Sequence, residues 1–160
     1  MLSYKLLFFL PLISTIFTYP FGVLLGEKTA QYFSSTLISI AAILSWFLFI
    51  SFSSSSSSEI IIPVLEWFFV SGQFFNWGIS INSLTLLMLT LVLTVSALVH
   101  IYSIEYMSHD NSKVRFMTYL SLFTFCMVAL VVSDNLIQLF FGWEGVGLAS
   151  YLLIGFWHHK

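Results

Sequence analysis

Long stretches without charge are the feature that most constrains this chain. The charged residues leave four gaps of 21, 30, 38 and 18 uncharged residues, which lie between Lys5 and Glu27, Lys28 and Glu59, Glu66 and Glu105, and Arg115 and Asp134. A helix needs about 20 apolar residues to cross a hydrocarbon core of about 30 Å. Only 8% of the residues are charged, against about 25% in soluble domains. The chain is therefore expected in a bilayer, which excludes both a soluble domain and a disordered segment.

The gaps predict an all-α integral membrane protein with five transmembrane helices in a single domain over 1–160. The predicted helices lie near 6–25, 33–52, 83–102, 116–132 and 135–157. Pro11 and Pro20 are expected to kink or end the first helix, which neighbouring helices in a bundle tolerate. Short polar connections are predicted at 26–31, 103–115 and 133–135.

The segment near 53–81 has a different character. It begins with six serines, Ser53–Ser58, which are typical of a flexible solvated linker. β-branched and aromatic residues then surround Ser71-Gly72 and favour a short β-hairpin at the membrane surface. An irregular aromatic belt is the alternative.

Several function classes are excluded by composition and by missing motifs. The net charge of −2 gives no basic field for nucleic acid. The single cysteine, Cys126, is expected to be a packing thiol. The sequence contains no glycine-rich nucleotide loop and no Cys-x-x-Cys cluster, and His100 is the only histidine within a predicted span, so no cofactor or metal site is expected in this chain.

Glu144 is the residue with the strongest functional signal. It lies ten residues beyond Asp134, which marks the membrane boundary, and is therefore about 15 Å deep in the bilayer. A carboxylate there costs roughly 2.5–3.5 kcal/mol on insertion scales, so such residues persist mainly where they function. The interpretation is a proton relay, and the alternative is a neutral acid that donates a hydrogen bond to another helix.

Small residues flank Glu144 and predict close helix packing. The spacing of Gly145 and Ala149 allows another helix to approach, and Gly147 and Tyr151 fall on the same helix face as Glu144. The Glu144 side chain is expected to face protein rather than lipid and to reach a cation on another polypeptide across this small-residue face.

Two further ionisable residues are candidates of lower rank. His100 lies near the inner end of the third predicted helix and is either an interfacial hydrogen-bonding residue or part of a proton path. Asp134 lies at the outer boundary and is either a helix cap and interface marker or a second relay residue.

Three stretches of sequence carry a resemblance to a known family. They are Leu-Val-His-Ile-Tyr-Ser-Ile-Glu-Tyr-Met at 98–107, Arg-Phe-Met-Thr-Tyr-Leu at 115–120, and 134–157 with Gly-Trp-Glu-Gly-Val-Gly-Leu at its centre. Through them, residues 83–160 resemble the N-terminal part of NADH dehydrogenase subunit 5, the distal antiporter-like subunit of respiratory complex I. The first 82 residues match in pattern only.

The resemblance implies a subunit of the mitochondrial inner membrane, with a bacterial plasma membrane as the alternative, that takes part in proton translocation coupled to NADH:ubiquinone oxidoreduction. Glu144 matches the essential membrane-embedded glutamate of the family, which is paired with a lysine on a later helix. NADH, FMN, iron–sulfur clusters and ubiquinone are expected in other subunits, and the implied partners are lipids and other membrane-arm subunits.

Two departures from the family accompany the resemblance. Asn82 stands where the family usually has an aspartate, which puts a role for that acid in doubt. Family members are also much longer, so the chain is expected to be a fragment or a split-gene product whose missing helices are on a separate chain. The alternatives are a subunit of a related multi-subunit cation/proton antiporter and a structural piece retained for assembly.

The basic residues predict the orientation. With five spans, four of them fall on one side and only Lys5 on the other; the four are Lys28, Lys113, Arg115 and Lys160. Because cytoplasmic and matrix loops carry the excess of Lys and Arg, the N-terminus is expected outside and the C-terminus inside.

Cysteine labelling tests this orientation. A Ser55→Cys variant in sealed vesicles should react with an impermeant thiol reagent from the outside only, because the serine segment follows an even number of spans from an outside N-terminus. Labelling of position 55 from the inside would overturn the orientation.

Overall fold

The protein forms five long helices and one β-hairpin in a computed structural model that describes residues 2–53, 59–70 and 72–157. The elements are α1 (Leu2–Leu25), α2 (Glu27–Ser53), β1 (Ile60–Val70), β2 (Gln73–Ile81), α3 (Ser83–Tyr106), α4 (Lys113–Val131) and α5 (Leu136–Ile154), followed by a 3₁₀ turn at Gly155–Trp157. All five helices are long and apolar enough to cross a membrane. The five predicted spans are thus confirmed.

The connections between helices are shorter than predicted. Only Gly26 separates α1 from α2, and its φ of 99° is a left-handed conformation that favours glycine. The predicted loop at 26–31 is therefore wrong beyond Gly26. Glu27 instead begins α2, where its carboxylate is stabilised by the positive end of the helix dipole.

The same extension occurs between α3 and α4. The predicted connection at 103–115 contracts to 107–112, because both helices continue past their apolar stretches. Pro11 and Pro20 lie inside α1 and neither one ends it. Charge gaps locate the hydrocarbon core, whereas the helical backbone also continues through the polar boundary on either side.

Two sides of the helix bundle can be distinguished by their connections. The junction side holds Gly26 and residues 107–112, and an ion pair between Lys113 and Glu27 with an N–O distance of 2.9 Å links the two connections. The hairpin side holds β1, β2 and the turn at 132–135 between α4 and α5.

The predicted hairpin is confirmed. β1 and β2 pair antiparallel, from Ile60 opposite Ile81 to Val70 opposite Gln73. The turn includes Gly72 with a φ of 87°. Of the predicted serine linker, Ser53 is the last residue of α2, and 54–58 lie outside the described residues.

The hairpin is anchored in the bundle by hydrogen bonds to α5 and to the preceding turn. The buried amide of Gln138 accepts from Gly78 N at 3.1 Å and donates to Gly78 O at 2.8 Å. Pro63, which lies opposite Gly78, has no N–H to offer. Ser80 N also donates to Val132 O at 2.9 Å. The hairpin therefore docks onto the helices instead of only lying at the membrane surface.

The core changes character along the membrane normal. Towards the hairpin side it is mainly apolar and includes Leu7, Phe8, Leu86, Leu89, Leu93, Val128 and Val132, with the polar side chains of Ser45, Ser80, Thr85, Thr90 and Gln138 buried among them. From mid-bundle to the junction side, polar side chains are buried as well: Ser14, Thr18, Gln31, Ser34, Ser35, His100, Ser103, Ser121 and Thr124. A core with this many buried polar groups in a membrane bundle is costly unless they hydrogen-bond to one another.

Replacing Gln138 should detach the hairpin. Gln138→Leu leaves the buried N–H and C=O of Gly78 without the side-chain partner, and each unsatisfied group costs about 1–3 kcal/mol. Unfolding of the purified chain in detergent micelles measures the loss. Leu136→Ala, at a position 82% exposed, is the control, and equal stability of the two variants would contradict the anchoring role.

Candidate functional site

Glu144 lies near the middle of α5, on the outer surface of the bundle. It is ten residues from the junction-side end of α5 at Ile154, or about 15 Å along the axis. Its side chain is exposed. Within the described part of the chain, its carboxylate forms no hydrogen bond or ion pair.

One face of α5 packs tightly against α4. A Cβ atom on Gly142 would lie 2.8 Å from the backbone of Leu130, and one on Gly145 would lie 2.7 Å from Cys126 Sγ. Ala149 is fully buried. The close helix approach predicted from Gly145 and Ala149 is thus confirmed, and α4 is the helix that approaches.

The opposite face of α5 is exposed around Glu144, and its described contact lies one turn away, where Phe141 meets the rings of Trp67 and Trp77 at 6.0 and 5.1 Å. Glu144, Gly147 and Tyr151 share it as predicted, with Tyr151 74% exposed and no atom within 4 Å of a Cβ placed on Gly147. The expectation that Glu144 reaches its partner across the Gly145 and Ala149 face is wrong, because α4 already occupies that face.

Large apolar side chains surround Glu144 on this exposed face. Phe140, Trp143 and Leu148 are each more than half exposed. Exposed apolar side chains are compatible with contact to lipid. A carboxylate among them at this depth, in contrast, would raise the insertion free energy by roughly 2.5–3.5 kcal/mol. This face of α5 therefore combines an exposed carboxylate with exposed large apolar side chains.

His100 is fully buried in the bundle, six residues from the junction-side end of α3. Its Nδ1 lies 2.8 Å from Ser96 O, and since a carbonyl oxygen only accepts, Nδ1 carries a proton. Its Nε2 lies 3.2 Å from Ser121 Oγ. Both ring nitrogens are therefore hydrogen-bonded, and Nε2 is the one that can accept a further proton.

Hydroxyl groups extend these contacts in both directions. Ser121 Oγ lies 2.9 Å from Ser14 Oγ. Ser96 Oγ lies 3.3 Å from His100 Nδ1 and 2.5 Å from Thr124 Oγ1. We call Ser14, Ser96, His100, Ser121 and Thr124 the His100 network; it joins α1, α3 and α4.

Sequence reasoning predicts His100 but none of the four hydroxyl residues. Serine and threonine inside apolar spans are the available signal, and this chain has many of them. Which of them meet depends on how α1, α3 and α4 pack, and that is not encoded in any local pattern.

Asp134 is exposed and does not cap α5. The cap is Asn135, whose side chain accepts from Gln138 N at 2.9 Å, so the predicted cap is wrong by one residue. Asn82 has the same role at α3, accepting from Thr85 N at 2.8 Å. An aspartate could fill that position equally well, because it offers the same acceptor.

The three predicted site residues are not brought together. Glu144 lies on the outer face of α5, His100 in the bundle core and Asp134 at the hairpin side. No group of three or more His, Cys, Asp or Glu side chains able to hold a metal ion occurs among residues 2–53, 59–70 and 72–157.

Two family models match the sequence. Residues 67–117 match the model described as NADH-ubiquinone oxidoreductase (complex I), chain 5 N-terminus. Residues 133–160 match the model described as NADH:quinone oxidoreductase/Mrp antiporter, TM. The second match contains Glu144 and the whole of α5.

Curated relatives align over nearly the whole chain. Chain 5 of NADH-ubiquinone oxidoreductase from Arabidopsis thaliana is 46% identical over 96% of this chain and 23% of its own length. Subunit L of NADH-quinone oxidoreductase from Rhodobacter capsulatus is 47% identical over 86% of this chain and 20% of its own length. The chain thus spans about a fifth to a quarter of these relatives.

The fold is also similar to a solved structure. The Mrp complex from Dietzia sp. DQ12-45-1b contains a chain that matches with a TM-score of 0.70 and 22% sequence identity. The match covers 96% of this chain and 15% of the other. At this identity the similarity concerns the fold.

Two glycines of α5 provide a matched test of its two faces. Gly142→Ala should destabilise the bundle by about 1–3 kcal/mol, because the added methyl group overlaps the α4 backbone. Gly147→Ala meets no atom and should be neutral or stabilising by up to about 1 kcal/mol, since alanine favours helix. Unfolding of both variants in detergent micelles is the measurement, and equal effects would contradict the assignment of the faces.

Proposed function

The chain belongs to the family of NADH:quinone oxidoreductase chain 5, also named subunit L, and from this membership we propose that it takes part in proton translocation in the membrane arm of respiratory complex I. Glu144 acts as the proton-relay carboxylate. The observation that carries the proposal is this carboxylate in the middle of a membrane-spanning helix, with its side chain exposed on the outer face of α5. The names of relatives that are 43–47% identical support the coupling to NADH oxidation.

A relay carboxylate at this depth needs a cation nearby. In a low-dielectric medium an isolated carboxylate is neutral and inert, and a cation within about 4–6 Å restores its charged form. Among the described residues, the cations lie near the ends of helices, and Lys113 already pairs with Glu27. The partner of Glu144 therefore comes from outside the described residues, and a lysine is the residue that the family resemblance implies.

Electron transfer takes place elsewhere in the complex under this proposal. NADH, FMN, iron–sulfur clusters and ubiquinone are bound by other subunits, and this chain contributes only a step of proton movement. Other membrane-arm subunits are its partners, and the exposed α5 face around Glu144 is where one of them, or a further part of the same subunit, packs.

The proposed location is the mitochondrial inner membrane, with the hairpin side facing outward and the junction side facing the matrix. The positive-inside rule supports this orientation, because Lys28, Lys113 and Arg115 all lie at the junction side. Chain 5 relatives from plants and an alga support the organelle.

A subunit of a cation/proton antiporter is the second candidate, favoured by the similarity of fold to the Mrp complex. Sequence identity is about twice as high to the NADH oxidoreductase subunits. Co-purification with subunits that carry iron–sulfur clusters supports complex I, and their consistent absence supports the antiporter.

Glu144→Gln should impair proton translocation while the complex still assembles. Glutamine has the shape of glutamate and its hydrogen-bonding capacity, but it cannot release a proton. The measurement is the number of protons moved per NADH oxidised in sealed vesicles containing the intact complex. Glu105→Gln, at an exposed position near the junction-side end of α3, is the control. Unchanged translocation in Glu144→Gln would indicate a purely structural role for this chain.

A further inference from the structure

We propose that the His100 network is a second proton-relay element, which links a cleft at the junction side to a groove at mid-membrane depth. This role rests on the proposed function, since it assumes that the chain moves protons, but it uses residues on the other side of α4 from Glu144. His100 is the proton-carrying group, and the four hydroxyl residues deliver protons to it and remove them.

The arrangement around His100 exceeds what a structural histidine requires. A buried imidazole is satisfied by one acceptor and one donor. Here each ring nitrogen contacts a hydroxyl, at 3.2 Å for Ser121 and 3.3 Å for Ser96, and each hydroxyl contacts a second one. A hydroxyl both donates and accepts, so protons can pass through it.

The groove end of the network lies at the depth of Glu144. Ser96 and Thr124 line a groove of about 340 Å³ between α3 and α4, whose other lining residues are apolar. Thr124 is eleven residues from the junction-side end of α4 and Glu144 is ten from that of α5. Both are thus about 15 Å deep. The contact of Gly145 with Cys126, half a turn from Thr124, agrees with this depth.

The other end of the network leads towards the junction side. A cleft of about 370 Å³ opens there between α1 and α4, and it is lined by Tyr19, Gly22, Glu27, Ser112 and Arg115 among others. Thr18 is buried and lies on α1 between this cleft and Ser14, with its hydroxyl donating to Ser14 O at 2.6 Å. The step from Thr18 to Ser14 is one helical turn, about 5 Å, a distance that a single water molecule is able to bridge.

The proton transfer is balanced at every atom. Ser121 gives its hydroxyl proton to His100 Nε2 and receives one from Ser14, which is supplied from the cleft. The resulting imidazolium releases the Nδ1 proton to Ser96 Oγ, Ser96 passes its own proton to Thr124, and Thr124 passes one to a water molecule in the groove. One proton enters and one leaves, only O–H and N–H bonds change, and the starting tautomer returns when a water molecule takes the proton from Nε2 and gives one to Nδ1.

The surrounding core is compatible with this role. Ser35 Oγ donates to His100 O at 3.4 Å, and Gln31 Nε2 donates to Ile104 O at 3.5 Å. These groups hold α2 against α3 without using the imidazole nitrogens. The backbone around His100 is therefore supported separately from the side chain that carries the proton.

The test compares His100→Gln with Glu144→Gln in the intact complex in sealed vesicles, with three readouts: assembly, NADH oxidation in the presence of an uncoupler, and protons moved per NADH oxidised. His100→Gln should assemble and should lower the proton ratio as far as Glu144→Gln does. His109→Gln, an exposed histidine in the connection after α3, should behave as the wild type.

A second pair of variants, at Thr124, separates the effect of the hydroxyl group from the effect of side-chain volume. Thr124→Val keeps the volume and removes the hydroxyl, whereas Thr124→Ser keeps the hydroxyl. A lower proton ratio in Thr124→Val, with a normal ratio in Thr124→Ser, supports the relay. This pair decides the question if His100→Gln fails to assemble, because a structural role of His100 would not distinguish the two Thr124 variants.

The outcomes separate this inference from the proposed function. A normal proton ratio in His100→Gln, or equal ratios in the two Thr124 variants, overturns the relay through His100, and an impaired Glu144→Gln would then leave the proposed function intact. Normal ratios in both His100→Gln and Glu144→Gln overturn both.

Discussion

The absence of water from the hydrocarbon core is the constraint on which this structure depends. Every buried polar group must find its partner within the protein. The backbone meets this demand in five helices, and the hairpin meets it by pairing its strands and binding Gln138 and Val132. The hairpin lies where the chain leaves the membrane, because its outer part could not be satisfied in lipid. The order of the elements along the chain and the need to hydrogen-bond every polar group thus lead to the same architecture.

The two ionisable side chains at depth are accommodated in opposite ways. His100 has both ring nitrogens hydrogen-bonded inside the chain, so the bundle of α1, α3 and α4 is sufficient for it. Glu144 has no such partner among the described residues and lies on an exposed face. Its energetic cost can be offset only by a group that packs on α5. The His100 site is therefore complete within this bundle, whereas under the proposed function a group from outside the described residues completes the site at Glu144.

The positions of the glycines decide which face of α5 packs against α4 and which face carries Glu144. Gly142 and Gly145 bring α5 against the backbone of α4 and bury that face, which directs Glu144 away from the bundle. A larger residue at Gly142 would separate the two helices and leave the carboxylate in a different place. The tight packing of one face is thus a condition for the function proposed for the other, since rotation of α5 by a third of a turn would change the surroundings of Glu144.

The sequence by itself determined the five spans and the hairpin around Gly72, because charge gaps and turn residues are local signals, and the carboxylate at mid-span led to the proposal for Glu144. It misplaced the cap at Asp134 by one residue and extended the loops at Gly26 and after Tyr102, since helices continue past the apolar core. Only the tertiary structure decided that α4 covers the Gly145 face and that Ser14, Ser96, Ser121 and Thr124 meet at His100. Those contacts join residues up to 107 positions apart, and their partners are set by helix packing, which no local pattern encodes.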